Sequence, residues 1–218
     1  MTRTLPSTAS VAEAVEGAKL HAPAAARNAA ALAAFLAQVA PAQGTALEIA
    51  SGTGQHVSAF AAAMPRLRWH PTDIDPDRLR SIDAYVADAR LDNVAPALNL
   101  DATQAGWSTD HGPKDMILLI NLLHLIGENE ALTLIAEAAQ ALASGGVLVL
   151  YGPFSRDGEL TSDGDKRFDA QLRTADPAIG YKDTSDMAGW LENAGLRVDA
   201  PHEMPANNLA FVARKPAS

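Results

Sequence analysis

The sequence predicts an α/β fold in which a mostly parallel sheet carries helices on both faces. Three observations predict it. Apolar runs of strand length alternate with amphipathic runs of helix length from about residue 44 onward. One run, "DMILLINLL", is apolar throughout, as expected of a central parallel strand buried on both sides. The first strand runs directly into the small-residue turn "ASGTG", which opens a helix.

The elements follow in order. A helix is expected from Pro23, where proline suits the first helical position and Leu32, Phe35, Leu36 and Val39 repeat at helical spacing. "PAQG" ends it. Thr45–Ala50 reads as a buried strand and Gly54–Met64 as a helix burying Val57, Phe60 and Ala61, with Pro65 as its stop. "LRWHPTDID" is a second strand. Asp75 then caps a helix starting at Pro76, with Leu79, Ile82 and Val86 inward. "NVAPALNLD" is a third strand and "DMILLINLL" the fourth. Glu128–Ala143 is a helix with acids in its first turn, closed by Gly145-Gly146. "GVLVLYGPF" is the fifth strand. Leu196–His202 and Leu209–Arg214 form a last pair joined by "EMPANN". Residues 1–20 are expected to be a flexible segment ahead of a single domain over 21–218. Residues 155–183 are too long for an ordinary connection, so a lid and a solvated excursion with a short helix near Phe168 and Leu172 both stand.

Composition narrows the function. The chain has 218 residues, a formal net charge of −9 and no basic cluster to offset it, which argues against a nucleic-acid partner. It contains no cysteine, so disulfides, thiolate metal sites and a cysteine nucleophile are excluded. No apolar run approaches the roughly 18 residues that span a bilayer, and no secretory signal is visible. A cytoplasmic protein without a membrane partner is the expectation.

Ligands of open parallel sheets sit beyond the carboxyl ends of the strands, where "ASGTG" lies. Gly52 and Gly54 permit close backbone approach. A dinucleotide fingerprint wants a third glycine where Val57 stands, which counts against a nucleotide-dependent oxidoreductase. S-adenosyl-L-methionine needs instead an acid for its ribose and an acceptor for its adenine amine. Glu48 lies within the first strand, Asp73 ends the second and Asp101 the third. Singly, Asp73 and Asp101 are equally explained as capping or loop residues. Jointly with the turn they favour this cofactor, and Ala50, His56, Ile74 and Asn121 complete the expected cofactor-binding set.

"LEIASGTG" followed by "DIDP" resembles the first two motifs of the class I S-adenosylmethionine-dependent methyltransferases. The sequence is most similar to the methyltransferase-like 26 family, the domain-of-unknown-function family 938, through "APAAARN", "LEIASGTGQH", "DIDP", "YGPF", "FDAQLR" and "MPANN". The resemblance implies a Rossmann-like fold with a seven-stranded sheet whose last strand is antiparallel. It implies no particular substrate, and the charged segment "TSDGDKRFDAQLR" departs from the family's pattern.

Methyl transfer from a sulfonium needs alignment and exclusion of water, and a base only where the acceptor must lose a proton. A small-molecule acceptor is therefore expected, with oxygen, nitrogen and sulfur acceptors all open. Asn207 and Asn208, in a turn at the carboxyl edge, suit orientation of a polar group, although turn formation alone also explains them. Arg27 and Asn28 continue the apolar stripe of the first helix, so a ligand carboxylate or a salt bridge to Glu48 or Asp73 is expected for Arg27. His124 sits near the pocket floor as a candidate base or a structural histidine, and Tyr151 lines the same region. The catalytic candidates are thus His124, Tyr151 and Asn207, with Arg27, Asn28 and Asn208 toward substrate. A binding or regulatory protein on the same fold is the reading of a different class.

Overall fold

The computed structural model describes residues 5–6 and 8–217. A short hairpin of β1 (Glu13–Ala14) and β2 (Leu20–His21) precedes α1 (Pro23–Val39). The sheet begins with β3 (Gly44–Ile49), α2 (Gln55–Ala63), β4 (Leu67–Asp73), α3 (Pro76–Asp88), β5 (Leu98–Asn99) and α4 (Ser108–His111). It continues with β6 (Lys114–Ile120), a 3-10 turn at Leu123–Leu125, α5 (Glu128–Ala141) and β7 (Leu142–Ser155). The remainder comprises α6 (Asp163–Ala175), β8 (Lys182–Asp183), α7 (Thr184–Asn193), β9 (Arg197–Val198), β10 (His202–Glu203) and β11 (Asn208–Arg214).

The strand order β10-β11-β7-β6-β3-β4-β5 is mostly parallel, and β11 runs antiparallel to β7. This is the expected α/β architecture. Among the described residues the sheet has nine strands rather than the expected seven, since β8 adds to β7 and β9 adds to β11. β9 and β10 are two pieces of the single strand expected over Leu196–His202. Pro201 lies between them and has no N–H to donate to a ladder. The third strand shrinks for the same reason around Pro96, leaving β5 and an isolated bridge between Trp69 and Val94. Helix α5 ends at Ala141, ahead of the expected Ala143, and Gly145-Gly146 fall inside β7 instead of closing the helix.

Side chains alternate across the two central strands. Ile117, Leu119, Leu148 and Leu150 enter the core beneath α5 and α7. Met116, Leu118, Ile120, Val147, Val149 and Tyr151 enter the core beneath α1 and α2. The alternation places Tyr151 on the same side as the helix that follows the glycine turn. A third, smaller cluster gathers Ala9, Leu172, Ile179 and Tyr181 around α6. No helix among the described residues is long and apolar enough to cross a membrane.

Candidate active site

The turn after β3 is built from three left-handed residues: Ala50 at φ 53°, Gly52 at φ 61° and Gly54 at φ 89°. Asp73, at the end of β4, fastens it. One carboxylate oxygen accepts from the Gly52 N–H at 2.9 Å and the other from the Asp75 N–H at 3.0 Å. Burial holds the Asp73 carboxyl above its usual range, opposed by those amides and by the Arg78 charge. Ser51 ties β3 to β4, its N–H donating to the Thr72 carbonyl at 2.7 Å.

Glu48 lies beneath this turn at 1% exposure, and its Oε2 has no hydrogen-bond partner. Burial pushes its carboxyl up to about 8, with a hydrogen bond from Ser51 opposing and the Asp73 charge adding. Beside Asp73, Ile74 exposes 59% of its surface. Asp101 follows β5 and is exposed, its carboxylate accepting from the Thr103 N–H at 3.0 Å and the Thr103 hydroxyl at 2.6 Å. Asn121 ends β6 in a left-handed conformation, its N–H donating to the Tyr151 carbonyl at 2.8 Å.

A polar cluster forms on the α1 side of this edge. The His56 Nε2 lies 2.7 Å from the Asn28 Oδ1, and the ring also bonds the Ala25 backbone. The buried Tyr151 hydroxyl bonds both the Asn28 and the Asn208 side chains, and burial raises its pKa despite them. Asn28, His56, Tyr151 and Asn208 come from four of the motifs quoted above, and only the tertiary structure brings them together. His56, buried and stacked on Phe60, is pushed down to about 4, so it is neutral near pH 7.

The other expected residues separate from this cluster. Arg27 is exposed on α1 and has no ion pair to Glu48 or Asp73 among the described residues, which corrects its expected place on the buried stripe. The stripe sets the helix's facing through Leu32, Phe35 and Leu36, one turn or more further on, and Arg27 falls outside their arc. His124 is buried in the 3-10 turn, edge-on to the rings of Phe168 and Tyr181. Burial and the nearby Lys182 charge push it down to about 3, a very weak base for the role expected of it. Asn207 is exposed in the turn between β10 and β11 and donates to Asp165 of α6 at 3.1 Å.

Sequence reasoning missed two groups. Asp165 accepts from Ser162, Tyr181 and Asn207, and Asp169 accepts from the Arg173 Nε and the Tyr181 N–H. Both lie in a charged stretch that looks like solvated surface. Gln55 stands between the second turn glycine and His56, and its side chain bonds His21, Ala22 and Thr53. Its position in the motif was the available signal. A groove of about 860 Å³ opens between the N-terminal ends of α5 and α7 and is lined by Lys182 and Trp190. No expected site residue lines it, and the glycine turn above the unpartnered Oε2 of the buried Glu48 is the better-defined ligand position.

The family model described as "Protein of unknown function (DUF938)" matches residues 19–215. The chain belongs to that family. Its fold is shared by solved structures at low identity. An O-methyltransferase family protein from Burkholderia thailandensis aligns with a TM-score of 0.76 and 18% identity, over 89% of this chain and 58% of its own. An O-methyltransferase family 2 protein from Planctomyces limnophilus, in complex with apigenin, aligns at 0.73 and 21%, over 88% and 60%. PigF with SAH aligns at 0.71 and 15%, over 87% and 56%. This chain spans under two thirds of the length of each.

Proposed function

We propose that this member of the DUF938 family is an S-adenosyl-L-methionine-dependent methyltransferase acting on a small molecule, and that the methyltransferase-like 26 resemblance reflects that activity. The observation that carries the reading is the left-handed turn fastened by Asp73 over the buried, unpartnered Oε2 of Glu48. A buried polar atom without a partner is expensive, and a ligand group that completes its bonding removes the expense. The residues fit the cofactor: Glu48, Ala50, Gly52 and Gly54 toward its amino-acid end, and Asp73, Ile74 and Asp101 toward its nucleoside. When bound, it would supply a methyl group on an activated sulfonium.

The chain's own residues would do the rest. Asn28, Tyr151 and Asn208 form a ready-made set of donors and acceptors that can orient a polar acceptor. Tyr151 keeps its proton at neutral pH because its pKa is raised, so it acts as a donor. His124 and His56 hold protons poorly, which favours an acceptor that arrives with a free lone pair. Asn207 and Asp165 would hold α6 over the site and exclude water.

The test is calorimetric titration of the full chain with S-adenosylmethionine, S-adenosylhomocysteine and NADH in parallel. Micromolar binding of the two sulfur compounds and none of NADH is expected, followed by screening of small acceptors for labelled methyl transfer. Binding of NADH alone would reject the reading. Binding of both sulfur compounds without transfer to any acceptor would favour a regulatory protein on the same fold.

A further inference from the structure

The residues ahead of α1 are fastened at both ends of a crossing. At the near end the Ala22 N–H donates to the Gln55 Oε1 at 2.7 Å, and the Gln55 Nε2 lies 3.2 Å from the His21 Nδ1. The Leu20 N–H donates to the Ser81 hydroxyl at 2.8 Å, and that hydroxyl donates to the Thr53 carbonyl at 2.7 Å. Lys19 pairs with Asp88 and lies over the Tyr85 ring. This stretch therefore rides on α3 and on the glycine turn itself.

Further along, the Arg78 Nη2 donates to the carbonyl and hydroxyl of Ser10. Arg78 is also the side chain nearest the open side of Gly52, its Nη1 lying 3.7 Å from where a Cβ would stand. The next residue has left α3 altogether. Ala9 is 6% exposed and packs with Leu172, Ile179 and Tyr181, while the Thr8 hydroxyl donates to Gln171 of α6 at 3.1 Å. Helix α3 follows β4 and α6 follows β7, and in the sheet β3 and β6 lie between those strands. A chain held by Arg78 of α3 at Ser10 and packed on Leu172 of α6 at Ala9 thus links the helix after β4 to the helix after β7.

We propose that residues 8–22 form a strap which, together with α6, closes over the candidate site as one unit, so that a bound cofactor product leaves only after Ala9 leaves α6. The identity of the ligand rests on the methyltransferase reading; the coupling of strap and helix does not. The seal consists of Ala9, the partly buried Leu5 and one hydrogen bond from Thr8 to Gln171, the kind of contact that opens locally without global unfolding. Val11, 43% exposed on the same strap, makes no part of that seal and serves as a control.

The experiment compares the full chain with Ala9→Glu and Val11→Glu. In hydrogen exchange without ligand, Ala9→Glu is expected to speed exchange about ten-fold in residues 8–22 and 163–175 together, and Val11→Glu in neither. In stopped-flow release, Ala9→Glu is expected to speed S-adenosylhomocysteine dissociation about ten-fold. A double variant guards against misfolding. The chain has no cysteine, so Thr8→Cys with Gln171→Cys accepts a short reducible bis-methanethiosulfonate cross-link cleanly. Cross-linking is expected to slow ligand release about ten-fold or more, and reduction to restore it. A loosened strap over an unchanged α6, or equal release from cross-linked and reduced protein, overturns the proposal. Failure of the wild-type chain to bind S-adenosylhomocysteine rejects the cofactor instead, and the exchange comparison alone then decides the coupling.

Discussion

Substituting the two turn glycines separately tests the geometry on which the site depends. A Cβ on Gly54 would stand 2.6 Å from the Ile82 Cα, a backbone atom that cannot yield unless α3 moves away from α2. A Cβ on Gly52 meets nothing closer than the Arg78 Nη1 at 3.7 Å. Both positions are left-handed, which costs an alanine roughly 1–2 kcal/mol. Gly54→Ala adds an overpacking penalty of about 1–3 kcal/mol, and both variants recover about 0.4–1 kcal/mol from a stiffer unfolded chain. Net losses are thus about 2–4 kcal/mol for Gly54→Ala and about 1 kcal/mol for Gly52→Ala. At about 2–4 °C per kcal/mol for a chain of this size, calorimetric Tm should fall by about 4–16 °C in the first and about 2–4 °C in the second. Affinity for S-adenosylhomocysteine should show the reverse order, because the open side of Gly52 faces the expected ligand. Equal Tm losses, or a larger loss for Gly52→Ala, would refute the packing account.

Three further outcomes are expected. The folded-state pKa of Glu48, near 8, lies above its unfolded value, so the folded chain binds the extra proton and stability falls as pH rises from roughly 5 to 8. The slope is about 1.4 kcal/mol per pH unit at most, and Glu48→Gln should flatten it in urea titrations across that range. The opposite sign applies to His124, whose depressed pKa gives stability present above about pH 6.5 and lost as pH falls toward 3; nitrogen NMR of the ring should show it neutral at pH 5. Tyr151→Phe strips a partner from Asn28 and Asn208 and should cost about 1–2 kcal/mol in unfolding free energy. In acceptor assays it should lower kcat while leaving cofactor affinity within about two-fold, a change of less than about 0.5 kcal/mol.

The glycine turn, the acids within β3, at the end of β4 and after β5, and the mostly parallel sheet were legible in the sequence. Each depends on local periodicity and on residues adjacent in the chain. The short strands were not, because Pro96 and Pro201 interrupt apolar runs whose alternation continues through them. Arg27 was misplaced because helical spacing extrapolated over two turns does not fix the edge of a buried arc. His124 follows β6, but its neighbours come from α6 and from the residues around β8, and only they decide its basicity.

By itself the sequence determined the α/β class, the position of the left-handed turn and the supply of acids around it, since these follow from side-chain size, φ preference and charge along one stretch of chain. The tertiary structure alone decided which groups meet: Asn28, His56, Tyr151 and Asn208 in one cluster, Asp165 beneath Asn207, and Ala9 against α6. Those contacts join segments far apart in sequence. Their partners are selected by how two layers of helices pack on a twisted sheet, which no local pattern encodes.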